Sequence, residues 1–218
     1  MTTILLINPN TSTRSTEMML SVAGPLLPDG VIVRGATAAT GPAMIVDEAA
    51  LADSASEVVR IGLAEAPHVD AIIVSAFGNP GVQRLRALMP FPVIGIGEAA
   101  VRQAADGGRR FGIATTTPDL VRSIEAGVRD LGLQDQFTGV RVPMGDPLSF
   151  AADPLQQDQA LAAAAIACIE EDGADIVVIG GGPLSDAAAR LRHRFPTMIV
   201  EPVPAAIQML LKQFFGPG

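Results

Sequence analysis

The chain has 218 residues, 49% of them apolar, and its 23 acidic side chains outnumber 15 basic ones for a formal charge of −8. That apolar content is enough to fill one large domain or two small lobes, and the acidic balance, with no clustered Lys or Arg, excludes a nucleic-acid footprint, which needs cations against phosphate. No apolar run reaches the roughly 18 residues of a membrane span. Met1-Thr2-Thr3-Ile4 carries no basic region ahead of its apolar stretch, so the expectation is a cytoplasmic protein with small-molecule partners, no nucleic acid and no membrane.

Short β-branched runs alternate with longer amphipathic segments, the pattern of βα units that feed a parallel sheet. In chain order the strands are expected at Thr3–Asn8, Val31–Gly35, Ala71–Ser75, Val93–Ile96, Phe111–Thr115, Gly139–Val142, Ile176–Ile179 and Met198–Val200. Their continuous apolar character suits strands covered on both faces. Helices are expected at Ser12–Ala23, Asp47–Glu65, Gly81–Leu88, Glu98–Ala105, Pro118–Leu131, Pro154–Glu171, Ser185–Arg194 and Pro204–Phe214. Pro118 after Thr117 suits a first helical turn, and Ser185 before Asp186 suits a cap. The segment 143–154, with two Asp-Pro steps, reads as the longest loop, either a flap over a cleft or an ordinary surface connection.

Val74-Ser75-Ala76-Phe77-Gly78-Asn79-Pro80 and Ile179-Gly180-Gly181-Gly182-Pro183 each close an apolar strand with a small-residue turn containing proline. Two similar lobes facing each other would set these turns on the walls of one cleft, and open α/β sheets bind ligands beyond the carboxyl ends of their strands. Ile7-Asn8-Pro9-Asn10-Thr11-Ser12 ends a strand in an amide- and hydroxyl-rich turn before a helix. Such a turn either attracts an oxyanion to free N–H groups or simply caps the helix. The lone Cys168 excludes an internal disulfide and lies in an Ala-rich helical stretch, where a free cysteine behaves as a small hydrophobe. His68 and His193 lack metal-ligand spacing, so no metal site is expected. Gly180-Gly181-Gly182-Pro183 is no dinucleotide fingerprint, because the third glycine is missing and Pro183 removes an N–H; its glycines would instead present backbone amides to a ligand.

Several of these stretches together resemble the aspartate/glutamate/hydantoin racemase superfamily. Ile7-Asn8-Pro9-Asn10-Thr11-Ser12 is similar to the opening signature of hydantoin racemases. Ala76-Phe77-Gly78-Asn79-Pro80-Gly81, Val93-Ile94-Gly95-Ile96-Gly97-Glu98-Ala99 and Gly112-Ile113-Ala114-Thr115-Thr116 follow in that family's order, and Glu201-Pro202-Val203-Pro204-Ala205-Ala206 resembles its last strand-to-helix turn. The resemblance implies an α/β fold of two flavodoxin-like lobes with parallel sheets facing a central cleft, here residues 1–97 plus 201–218 and residues 98–200. It further implies a homo-oligomer and cofactor-independent proton transfer at a carbon beside a carbonyl, between two acid/base groups on opposite faces of that carbon. Thiols serve this role in the family because a pocket of helix N-termini lowers their pKa.

In this chain the two thiol positions are Ala76 and Gly181, and neither can carry a proton. No thiol can therefore serve, and the candidate catalytic groups are Thr116, Glu48 and Glu201, beside Asp47, Glu98 and the neighbouring hydroxyls Ser75, Thr115 and Thr117. A lone hydroxyl needs an adjacent base to become nucleophilic. The ligand is expected to be a small carboxylate or a hydantoin-like cyclic imide. It would be held by Asn8, Ser12, Thr116 and Thr117, and by the backbone around Phe77, Gly78, Asn79, Gly181 and Gly182.

Overall fold

The computed structural model describes residues 1–196 and 198–216. Among the described residues, eight strands form two four-stranded sheets. The first contains β1 (Thr2–Asn8), β2 (Val31–Thr37), β3 (Ala71–Val74) and β4 (Val93–Gly95). The second contains β5 (Phe111–Ala114), β6 (Phe137–Arg141), β7 (Ile176–Ile179) and β8 (Ile199–Val200). All pairings are parallel, and the orders β2-β1-β3-β4 and β6-β5-β7-β8 are the same order repeated. The similarity between the Ala76 and Gly181 turns thus has a topological basis, since each follows the third strand of its sheet.

Helices α1 (Thr13–Ala23), α2 (Glu48–Glu65), α3 (Val82–Leu88) and α4 (Ile96–Ala105) belong to the first half. The second half carries α5 (Val121–Asp130), α6 (Pro147–Ala152), α7 (Pro154–Glu170), α8 (Ser185–Arg194) and α9 (Pro202–Phe215). The 143–154 stretch is therefore not a plain loop. Asp146 accepts from the Ser149 N–H to start α6 with Pro147 in its first turn, and Asp153 caps α7 in the same way. Both Asp-Pro steps are helix starts. The expected helix at 118–131 divides into a 3-10 turn, Pro118–Leu120, and α5. Residues 217 and 218, the end of the expected first lobe, lie outside the described residues.

Successive side chains of a strand point to opposite faces, and β1 shows what that does here. Ile4 and Leu6 join a core that also contains Phe111, Ile113 and Val178 of the second sheet, whereas Leu5 and Ile7 join a separate cluster with Val58, Ile72 and Leu85. The two lobes thus share one apolar core, to which α4 contributes Ala100 and Ala104 and α9 contributes Ala206 and Leu210. The small side chains let these elements approach closely. Each buried Ile or Leu contributes about 1.5–3 kcal/mol relative to exposure, so the halves are fixed and their strand ends meet in a set geometry. Among the described residues no helix is long and apolar enough to cross a membrane.

Candidate functional site

A cavity of about 50 Å³ opens where the carboxyl ends of the two sheets meet. A water needs about 10–15 Å³ on this measure, so the space suits a few waters or a compact small molecule. Ala76, Phe77 and Gly78 come from the turn after β3, Thr115, Thr116 and Thr117 from the turn after β5, and Gly180, Gly181 and Gly182 from the turn after β7. Ala76 and Gly181, one from each lobe, line the same cavity.

Glycine is required where these turns touch. A Cβ on Gly182 would lie within 3.0 Å of the Ser75 carbonyl oxygen, and one on Gly97 would overlap the Phe77 carbonyl. Opposite Gly180 stands the Phe77 ring, 3.5 Å from where a Cβ would be. Close packing of backbone on backbone is what draws the turns together around the cavity.

The hydroxyls are mostly engaged. Ser75 donates to the Ile7 carbonyl at 2.7 Å, and Thr115 donates to the Gly180 carbonyl at 2.7 Å while contacting the Thr117 hydroxyl at 3.1 Å. Thr116 differs: its side chain is fully buried and its Oγ1 has no hydrogen-bond partner. A buried polar atom left unpaired costs about 1–3 kcal/mol. Ser123, also at the cavity, donates to Glu48 at 3.3 Å.

Several expected ligand-binding residues lie elsewhere for physical reasons. Asn8 is fully buried, and its amide nitrogen donates to Asn10 Oδ1, the Ser12 carbonyl and Thr16 Oγ1, while its Oδ1 accepts from the Asn10 N–H. The amide is consumed in building the turn. Ser12 caps α1 by accepting from the Ser15 N–H, the helix-capping alternative for this turn. Asn79 adopts φ 52°, and its Oδ1 accepts from the Gly97 and Glu98 N–H groups, so it holds the start of α4 and lies in a separate shallow depression.

The acids also lie outside the cavity. Glu48 is exposed in the first turn of α2, in an open depression with Asp47, Asp119 and Arg122. Glu98 pairs with Arg86 and Arg102. Half-buried at the start of α9, Glu201 has its carboxyl pushed above the usual range by burial, with Arg192 opposing. Cys168 is a core residue on α7, its thiol pushed up to about 11 by burial and the nearby Asp172 carboxylate.

Residues the sequence did not single out complete the lining. Asn10 is nine-tenths buried at the cavity and its Oδ1 accepts from Asn8 Nδ2 and the Ser12 N–H. Met44 and Ile45 approach from the loop 38–47, and Leu120 and Ile124 from the second lobe. A non-periodic pair of large apolar residues such as Met44-Ile45, between the Gly41-Pro42 turn and the Asp47 helix cap, is a signal of this kind, though it does not say which cavity it covers. Among the described residues, none that lines the cavity is Asp, Glu, His, Cys, Lys or Arg, and no acidic, His or Cys cluster suits a metal ion.

Two parallel sheets of repeated order, joined by one core and enclosing a small cavity between glycine-rich turns, define a two-lobed α/β protein whose halves meet at that cavity. The chain belongs to the Asp/Glu/hydantoin racemase family, which it matches over residues 4–210. It is 29% identical over 209 residues to the hydantoin racemase of Paenarthrobacter aurescens, covering 94% of this chain and 88% of that protein. With the hydantoin racemase of Rhizobium meliloti the identity is 32%, covering 94% and 86%. The allantoin racemase from Klebsiella pneumoniae superposes with a TM-score of 0.91 at 27% identity, over 98% of this chain and 88% of that one. Glutamate racemase from Campylobacter jejuni, at 17% identity and a TM-score of 0.65, shares the fold.

Proposed function

We propose that this protein is a cofactor-independent, hydantoin-racemase-like enzyme that acts on a hydantoin-like cyclic imide in the inter-lobe cavity, by chemistry that does not use thiols. The observation that carries this reading is the placement of Ala76 and Gly181 on one cavity whose other polar groups are hydroxyls, amides and backbone. An uncharged imide suits that lining better than a carboxylate, because no cation lines the cavity and a buried anion without a partner is costly. Hydantoin and allantoin are named in the relatives above, and a five-membered ring is of the size the cavity admits.

Two-base exchange through sulfur is closed to this chain. What its residues can do is hold the ring, hydrogen-bond a carbonyl so that the neighbouring carbon or the ring amide becomes more reactive, and leave water to carry the proton. Proton exchange at the ring carbon and hydrolysis of the ring amide are the two reactions this allows. A second reading, a non-catalytic binding or sensing protein, is favoured by the lack of any ionisable side chain on the lining.

Hydantoin and allantoin incubated with the protein in heavy water, followed by NMR, distinguish these readings. Loss of the ring C–H signal or appearance of an opened product supports the enzyme. A raised melting temperature with neither change supports the binding reading, and no effect of either compound on signal or melting removes the ligand assignment.

A further inference from the structure

The hydroxyl of Thr115 has one proton, and its partner at 2.7 Å, the Gly180 carbonyl, can only accept. That proton is therefore committed. The 3.1 Å contact between Thr115 Oγ1 and Thr117 Oγ1 then has only one polarity: Thr117 donates and Thr115 accepts. Both residues are buried, 1% and 7% exposed. Thr117 lines the cavity with its proton already spent, and only lone pairs remain for a ligand.

The first lobe contributes Asn10 to the same cavity. Asn10 Oδ1 accepts from Asn8 Nδ2 and from the Ser12 N–H, and the latter, a donor without ambiguity, fixes which way the amide is turned. Asn10 lines the cavity, and its Nδ2 takes no part in these bonds. The Asn10 amide of the first lobe and the Thr117 acceptor of the second thus line one cavity, without charge.

From this we propose that Thr115 is a positioning residue for ligand selection: by bridging the turns after β5 and β7 it locks Thr117 as a hydrogen-bond acceptor, and so makes the cavity select ligands that bring an N–H. The inference rests on the assignment of the cavity to a cyclic imide. A ligand whose facing nitrogen is methylated leaves the Thr117 lone pair buried and unpaired, because Thr117 cannot turn its proton away from Thr115 without breaking that bond. Removing the Thr115 hydroxyl releases the Thr117 proton and relaxes the choice.

Calorimetric titration of the full chain with hydantoin, 1-methylhydantoin and 3-methylhydantoin tests this in the wild type, Thr115→Val and Thr115→Ser. Valine has the shape of threonine without the donor, and serine keeps the donor. The wild type should bind hydantoin at least about tenfold tighter than one of the two methylated rings, the scale of one lost buried hydrogen bond. That ratio should narrow to within about threefold in Thr115→Val and return in Thr115→Ser. Because each ratio is internal to one variant, partial loss of folded protein does not alter it, and a steric term common to the three proteins cancels when the ratios are compared. An equal ratio in all three proteins overturns the role of Thr115, as does a wild type that binds all three rings alike. If hydantoin neither titrates nor shifts the melting temperature of the wild type, the imide assignment itself falls.

Discussion

Replacing Gly182 by alanine tests the contact that holds the two site turns together. The added Cβ would stand less than 3.0 Å from the Ser75 carbonyl oxygen, whereas ordinary contact begins at 3.4 Å, so the turns after β3 and β7 must separate by at least 0.4 Å. The obstacle is backbone on a strand end, not the tip of a flexible side chain, and it cannot swing aside. Overpacking of this kind costs about 1–3 kcal/mol, which for a chain of this length lowers the melting temperature by roughly 2–12 °C. Ligand affinity should fall as well, since the separation opens the cavity between Ala76 and Gly181. Gly127→Ala is the control. It lies within α5 with nothing within 4 Å of a new Cβ, and alanine there should stabilise by about 0.5–1 kcal/mol. Paired thermal melts and hydantoin titrations decide the matter: if Gly182→Ala melts and binds like the wild type, the close approach of the two turns is refuted.

The double variant Ala76→Cys, Gly181→Cys should gain ring C–H exchange in heavy water, since both positions line the cavity; a folded but inert protein would refute their assignment as the thiol positions. The Cys168 thiol, pushed up to about 11 and fully buried, should resist iodoacetamide at pH 8 in the native protein and react on unfolding, and rapid native labelling would contradict its burial. Glu57 is held down to about 2, first by its hydrogen bond from Arg60 and also by the Ala39 N–H. A carboxyl depressed on folding stabilises fully above its unfolded value of 4.5 and loses that contribution as pH falls towards 2. Acid denaturation curves of Glu57→Gln should therefore be shallower between these limits than those of the wild type.

The architecture was legible because most strands are short apolar runs covered on both faces, and such runs survive without knowledge of their partners; the edge strands β2 and β6, which carry Arg34 and Arg141, are only partly covered. Helix α6 was hidden because Pro147–Ala152 is too short to show periodicity, although Asp146 and Asp153 before their prolines mark both starts. In the site, Ala76 and Gly181 were picked out by the resemblance to the hydantoin racemases, and both line the cavity in the turns that end β3 and β7. Asn8 and Asn10 were harder to separate, since both are amides in one turn and only their hydrogen bonds show that Asn8 builds the turn while Asn10 lines the cavity. Met44 reaches the cavity from the distant loop 38–47, and its local pattern does not say which cavity it covers.

The chemical neutrality of the cavity wall has a consequence for solution behaviour. With no lining side chain that gains or loses a proton between about pH 5 and 9, the receptor half of the binding equilibrium is flat across that range. A bend in affinity against pH then reports the acidity of the guest, so titrating a series of imides of graded acidity would read the protonation state in which each is taken up.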